Sequence, residues 1–215
     1  PTQSCLVLRG MAGRVHVLTG RITQRVVSAL HVPGDFMDLH GFVLSEVQES
    51  IVAFGLTEVE FVDHSHLEEL TQNHPHLTRL LWMTTAIDGA IHRQWLVAAN
   101  ALRSSAHLAH LLCELSLRAT SVGLCVDGRC PLPLTQIDLA STTGMSIVHV
   151  NRTLQDLRGR GLVSIEGRQL RILAPARLRD MAQFDDTYLH LGRPRRRPGL
   201  ESASGPARQA TAAAF

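Results

Sequence analysis

Between positions 146 and 161 the chain reads SIVHVNRTLQDLRGRG, and its residue types suit one helix with two distinct faces. Val150, Leu154 and Leu157 recur at the spacing of a buried stripe. Val148, Arg152 and Gln155 lie opposite, with Ile147, His149 and Asn151 beside them. An arginine in such a place offers a rigid fork of donors that fits guanine O6 and N7, and an aliphatic residue can touch a thymine methyl. The chemistry on offer is the reading of base edges in a major groove.

That helix needs elements to hold it, and the flanking residues supply them. Thr135 precedes QIDLAST, so its hydroxyl can cap a preceding helix, with Asp138 in the acidic first turn. Ile137, Leu139 and Ala140 give that helix a small apolar face, and Gly144 breaks it with a residue that tolerates positive φ. Ser146 caps the second helix, Gly161 ends it, and LVSIEGRQLRIL follows as a hairpin turning at Gly167. Two helices about a glycine turn make a helix-turn-helix, and the hairpin makes it winged. Such a segment can also be plain packing. Here the wing, the two capping hydroxyls and the local charge all point to DNA. The candidate DNA-binding residues are Thr135, Ser146, Ile147, Val148, His149, Asn151 and Arg152.

The charge is unevenly placed. Of 215 residues, 21 are Arg, none is Lys and 19 are acidic, so the net charge is only +2. Residues 1–130 carry 9 Arg against 12 acids, whereas residues 131–180 carry 7 Arg against 4 acids. Positive charge thus gathers in the carboxy-terminal part, as expected if that part meets a polyanion. The stretch from 193 adds 5 Arg against 1 acid, and its Pro, Ala and Ser content without apolar periodicity reads as a disordered basic tail.

Hydrophobic residues make up 45% of the chain, enough for a real core, and no apolar run reaches the roughly 18 residues of a membrane span. Residues 5 to 62 read as short strands rich in Val and Ile, punctuated by Gly, Pro and Asp. Asp63 or Ser65 then caps a helix, and Ser65 with Glu68 fits a capping box. Pro75 restarts a helix to about Asn100. Its apolar residues recur near every 3.5 positions, which is what a two-stranded seam needs. Leu80, Ile87 and Ile91 are its expected dimerisation residues, although the helix could instead pack only on its own β domain. A further helix runs from Ser104 to about Val122. The four cysteines, Cys5, Cys113, Cys125 and Cys130, form no C-x-x-C pair, and the expectation is reduced structural thiols in a cytoplasmic protein.

Three stretches resemble the Crp/Fnr family of bacterial transcription regulators. HVPGDFMDLHGFVL is similar to the family's P-G-[DE] segment, AHLLCELSLR to the helix leading into its DNA domain, and LPLTQIDLASTTGMSIVHVNRTLQDLRGRGLVSI to its helix-turn-helix and wing. The resemblance spans about residues 5 to 190 and implies an α+β fold. A cyclic-nucleotide-binding-like β-roll (1–74), incomplete at its start, precedes a long dimerisation helix (75–103) and a winged helix-turn-helix (104–192), with the basic tail at 193–215. A few dozen residues ahead of the first strand are expected to be missing. Double-stranded DNA, a second copy of the chain and RNA polymerase are the implied partners, and no membrane is expected.

Carried over by position, Arg152 matches the family's guanine-reading arginine. Ile147 and Val148 stand where cyclic-AMP-type members have an Arg and a Glu, so the target sequence should differ. Glu49 precedes Ser50 where cyclic-nucleotide binders hold phosphate with an Arg-Ser or Arg-Thr pair. A carboxylate repels phosphate, so cyclic AMP is not the expected effector. An iron–sulfur sensor would need clustered cysteines; a haem sensor remains open among the 12 histidines. The effector stays unassigned. Two other readings compete: a cupin-type metalloenzyme built on His64 and His66, and a dimeric scaffold that binds no DNA. His64 and His66 lack the cupin glycine, sit at a helix start and point to different faces, so no metal site is expected there.

Overall fold

A computed structural model describes residues 1–20, 23–44 and 46–191; the expected basic tail at 193–215 lies outside the described residues. Strands β1 (Gln3–Arg9), β2 (Ala12–Leu18), β3 (Gln24–His31), β4 (Ser50–Ala53) and β5 (Glu58–Asp63) build the amino-terminal roll. β1 pairs antiparallel with β5, and β2 lies between β3 and β4 in a second antiparallel sheet. Helices α1 (His64–Asn73), α2 (Pro75–Ala101) and α3 (Ser104–Ser121) follow. The carboxy-terminal part holds β6 (Arg129–Pro131), α4 (Gln136–Thr143), α5 (Ile147–Gly159), β7 (Val163–Glu166), β8 (Gln169–Ile172) and α6 (Pro175–Met181). The wing is a three-stranded antiparallel sheet in the order β6-β8-β7.

One hydrophobic core crosses the expected domain boundaries. Val15, Val27 and Leu30 of the roll, Ile91 of α2, Leu108 and Leu112 of α3, and Val150, Leu154 and Leu157 of α5 belong to one buried cluster. α3 supplies its middle, with ten of its residues buried.

Three expectations need correction. α1 begins at His64 with Asp63 as its N-cap, so Ser65 lies inside the helix and forms no capping box. The Asp63 carboxylate does not cap either. It sits opposite Gln3 in the β1–β5 register and accepts a 2.8 Å hydrogen bond from the Gln3 amide. The cysteines are not all reduced, because Cys125 and Cys130 are disulfide-bonded, while Cys5 and Cys113 are free and buried. The chain doubles back at Asp127 and Gly128, whose φ values are 50° and 72°, and so sets the two cysteines side by side.

The third correction concerns α2. Ile91 is only 6% exposed within a single chain, so it faces the core instead of a second molecule, and half-buried Ile87 packs against the same core. Leu80, the third expected seam residue, is exposed. Besides Leu77 and Leu80 near its start, α2 exposes apolar side chains on a different stripe: Trp82, Met83, Leu96 and Val97. Exposed Ala86 and half-buried Gly89 and Ala90 continue it from Trp82 and Met83 at intervals of three to four residues, and exposed Arg93 stands between Ala90 and the Leu96–Val97 pair.

Candidate nucleic-acid interface

The helix-turn-helix is built from local bonds that its own residues supply. The Thr135 hydroxyl accepts from the Asp138 amide at 3.2 Å, and the Asp138 carboxylate accepts from the Thr135 amide at 2.9 Å. This is a full capping box with Asp in the third position. α4 ends at Gly144 in the left-handed region, with φ 68°. The Ser146 hydroxyl then accepts from the His149 amide at 3.2 Å and starts α5. Hydroxyls that satisfy these orphan amides stabilise each helix start by about 1 kcal/mol.

Val150, Leu154 and Leu157 are buried, and that fixes the rotation of α5. Ile147, Val148, His149, Asn151 and Arg152 are consequently all exposed along its first two turns. The Asn151 amide donates to Gln136 Oε1 at 3.1 Å, which ties the exposed face of α5 to the start of α4. Thr135 stands at the head of α4 and Ser146 at the head of α5, so both act first as caps. The wing turns at Gly167 and Arg168, both with positive φ.

Sequence reasoning missed how this module is anchored. Arg25 of β3 places Nη1 2.7 Å from Asp138 Oδ1 and stacks its guanidinium over the Phe54 ring. Burial alone would raise the Asp138 pKa, but hydrogen bonds from Arg25 and Thr135 outweigh it and the net shift is downward. A second link runs through Arg118 of α3, which donates to the Leu30 carbonyl at 2.7 Å and to Asp35 Oδ2 at 2.8 Å. Asp35 is the acid of the P-G-D segment. Arg118 also pairs with the fully buried Glu114 at 3.1 Å. Glu114 Oε2 accepts from Trp95 Nε1 at 3.0 Å and from the Tyr188 hydroxyl at 2.7 Å. Burial and the Glu114 charge raise the Tyr188 pKa, so its hydroxyl stays a donor. The i, i+4 spacing of Glu114 and Arg118 inside an apolar helix was the available signal.

Between the roll and α2 lies a cavity of about 420 Å³. Arg14, His31, His40 and Glu49 line its roll side, and Asp88 and His92 line its helix side. Arg14 Nη2 lies 2.6 Å from Asp88 Oδ2 and 3.1 Å from His92 Nε2. Arg14 Nε and His31 Nε2 are buried without a hydrogen-bond partner among the described residues. Burial, then the charges of Arg14 and Arg118, hold the His31 pKa well below the usual imidazole value. Burial lowers that of His92 too, with Arg14 adding to it against the opposing Asp88. Glu49 faces His40 Nε2 at 3.7 Å, an ion pair when that imidazole is protonated. His64 of the supposed metal pair instead contacts the Ser4 hydroxyl at 3.0 Å and the Phe42 ring, while His66 is exposed.

Residues 106–181 match the model of the Crp-like helix-turn-helix domain. Among curated proteins, the transcriptional regulatory protein btr of Bordetella pertussis is 23% identical over 150 residues, 70% of this chain and 62% of that one. The transcriptional activator protein anr of Pseudomonas aeruginosa is 22% identical over 147 residues, 68% of this chain and 60% of that protein. The chain thus spans about three fifths of the length of these curated relatives. In fold it is similar to FixK2 from Bradyrhizobium japonicum, with a TM-score of 0.73, 24% identity, and 84% of this chain and 87% of that one covered. A CRP-family transcriptional regulator from Thermus thermophilus superposes with a TM-score of 0.67 at 17% identity, over 85% of this chain and 88% of that one.

Proposed function

We propose that the chain is a transcription regulator of the Crp/Fnr family and that it binds DNA sequence-specifically as a homodimer reading an inverted repeat; the match of residues 106–181 to the Crp-like helix-turn-helix domain supports this. The observation that carries this reading is the rotation of α5: Val150, Leu154 and Leu157 are buried, and Arg152 stands exposed on the opposite side. Arg152 reads a guanine, and Ile147 and Val148 take apolar contacts in place of polar base readers. The relatives and fold neighbours are transcription regulators, which leaves the cupin-type enzyme without support.

The second copy docks on the exposed stripe of α2, with Trp82, Met83, Leu96 and Val97 as apolar anchors and Ala86 and Ala90 allowing close approach. RNA polymerase is the partner that such a regulator addresses once on DNA. Cyclic AMP is neither bound tightly nor required, because Glu49 brings a carboxylate to the place where a cyclic phosphate would need a cation.

Selection of bound fragments from random DNA tests the reading. The expected product is an inverted repeat with half-sites about one helical turn apart, roughly 10 base pairs centre to centre. Affinity no greater than that of a charge-matched control protein would favour the dimeric scaffold instead.

A further inference from the structure

Residues 125–130, Cys-Val-Asp-Gly-Arg-Cys, form a tight hairpin after α3 that runs into β6. Val126 and Arg129 exchange both backbone hydrogen bonds, each 2.9 Å, around Asp127 and Gly128. An Asp-Gly pair with both φ values positive is the turn that matches the twist of paired strands. The next rung outward is a non-hydrogen-bonded pair, where facing side chains lie closest. That rung is Cys125 opposite Cys130, with their Cα atoms 4.2 Å apart. The turn therefore brings the two sulfurs together, and it would do so for two thiols as well.

The hairpin also controls how firmly β6 joins the wing. β6 has three residues, and its first rung sets Arg129 against Arg171, like charges face to face. Its last residue, Pro131, has no amide to donate. This ladder is weak on its own. Cys130 is buried opposite Leu170 of β8, while Cys125 lies 3.2 Å from the Thr120 hydroxyl of α3. The cross-link thus fastens β6 between the wing and α3.

We propose that Cys125 and Cys130 are a reversible thiol–disulfide site that sets the order of the wing sheet and, with it, the affinity for DNA. The affinity clause rests on the regulator reading above. A protein that works on bacterial DNA sits among reducing thiols, where disulfides are transient or redox-sensing. Cys125, the less buried of the two, attacks a low-molecular-weight disulfide as its thiolate and releases one small thiol. The Cys130 thiolate then attacks the Cys125 sulfur of the mixed disulfide and releases the second. Two electrons pass to the small disulfide, and the two protein protons end on the two small thiols released. Excess small thiol drives the same steps backward.

The test equilibrates the full chain in buffers of reduced and oxidised glutathione, traps free thiols by alkylation and counts them by mass. Hydrogen exchange and affinity for the selected operator are measured in parallel. The pair should convert fully between dithiol and disulfide across the series. Reduction should speed exchange in residues 124–131 and 169–172 while sparing α5, and operator affinity should fall several-fold. The double variant Cys125→Ser, Cys130→Ser should show the low affinity in every buffer. A pair that stays oxidised in reduced glutathione, or stays dithiol in oxidised glutathione, overturns the proposal. So does a pair that converts without altering wing exchange. If the wing responds but the chain binds no DNA in either state, the redox site stands and the regulator reading fails.

Discussion

Helices α5 and α2 were read by the same apolar spacing, and the structure treats them differently. α5 has 13 residues and one apolar stripe, so only one face could go inward. α2 has 27 residues with apolar side chains around much of its circumference, including Leu80, Trp82, Met83, Ile87, Ile91, Leu96 and Val97. Spacing alone allows it two stripes. The roll and α3 cover the one with Ile87 and Ile91, and the other is left to water or to a second chain. A helix with a single apolar face reports its own orientation, whereas one with two needs its neighbours to choose.

The sharpest way to break this comparison is to exchange the two stripes of α2. Ile91→Ala should destabilise the fold by about 2–5 kcal/mol, because Ile91 is core, and urea unfolding would register it. Leu96→Glu with Val97→Glu should leave the urea midpoint nearly unchanged and convert dimers to monomers in sedimentation. A double variant that stayed dimeric, or an Ile91→Ala protein of normal stability, would reverse the assignment of faces.

On α5 the expected loss is smaller and confined to recognition. Arg152→Ala should cost about 1–3 kcal/mol per half-site and relax preference at one base, with weak binding to scrambled DNA kept. An equal loss on both DNAs would make Arg152 a phosphate contact.

The cavity between the roll and α2 gives a pH signature that α5 should lack. His31 and His92 have folded pKa values below the ordinary imidazole range, so the unfolded chain binds more protons as the solution acidifies. Their contribution is complete above about pH 6.5 and is lost as pH falls toward the folded values, at up to ~1.4 kcal/mol per pH unit for each histidine. His31→Gln should flatten that slope in denaturation midpoints measured from pH 7 to 5. An unchanged slope would mean that His31 is not buried neutral.

The smallest effect belongs to the caps. Ser146→Ala should lower stability by about 1 kcal/mol without changing which bases are preferred. A change of preferred bases would show Ser146 reading DNA directly.

What could be read from residues alone was whatever short-range chemistry decides. The Thr135 cap with Asp138 in its first turn, the Gly144 turn, the Ser146 cap and the Gly167 hairpin each involve partners within a few positions, and each formed as expected. The Asp127-Gly128 turn carried the same kind of signal between two cysteines. The C-x-x-C pattern is absent there, so the cysteine spacing by itself does not mark the pair. Ser65 was misplaced for the opposite reason, since the end of β5 is set by pairing with a strand sixty positions away. The inward face of α2, the Arg25–Asp138 pair and the buried group around Glu114 all join residues distant in the chain. Burial there makes a partner obligatory, but no local pattern says which residue it is. That choice falls to the packing of the roll, α2 and α3 around one core, where distant charges must meet or remain costly.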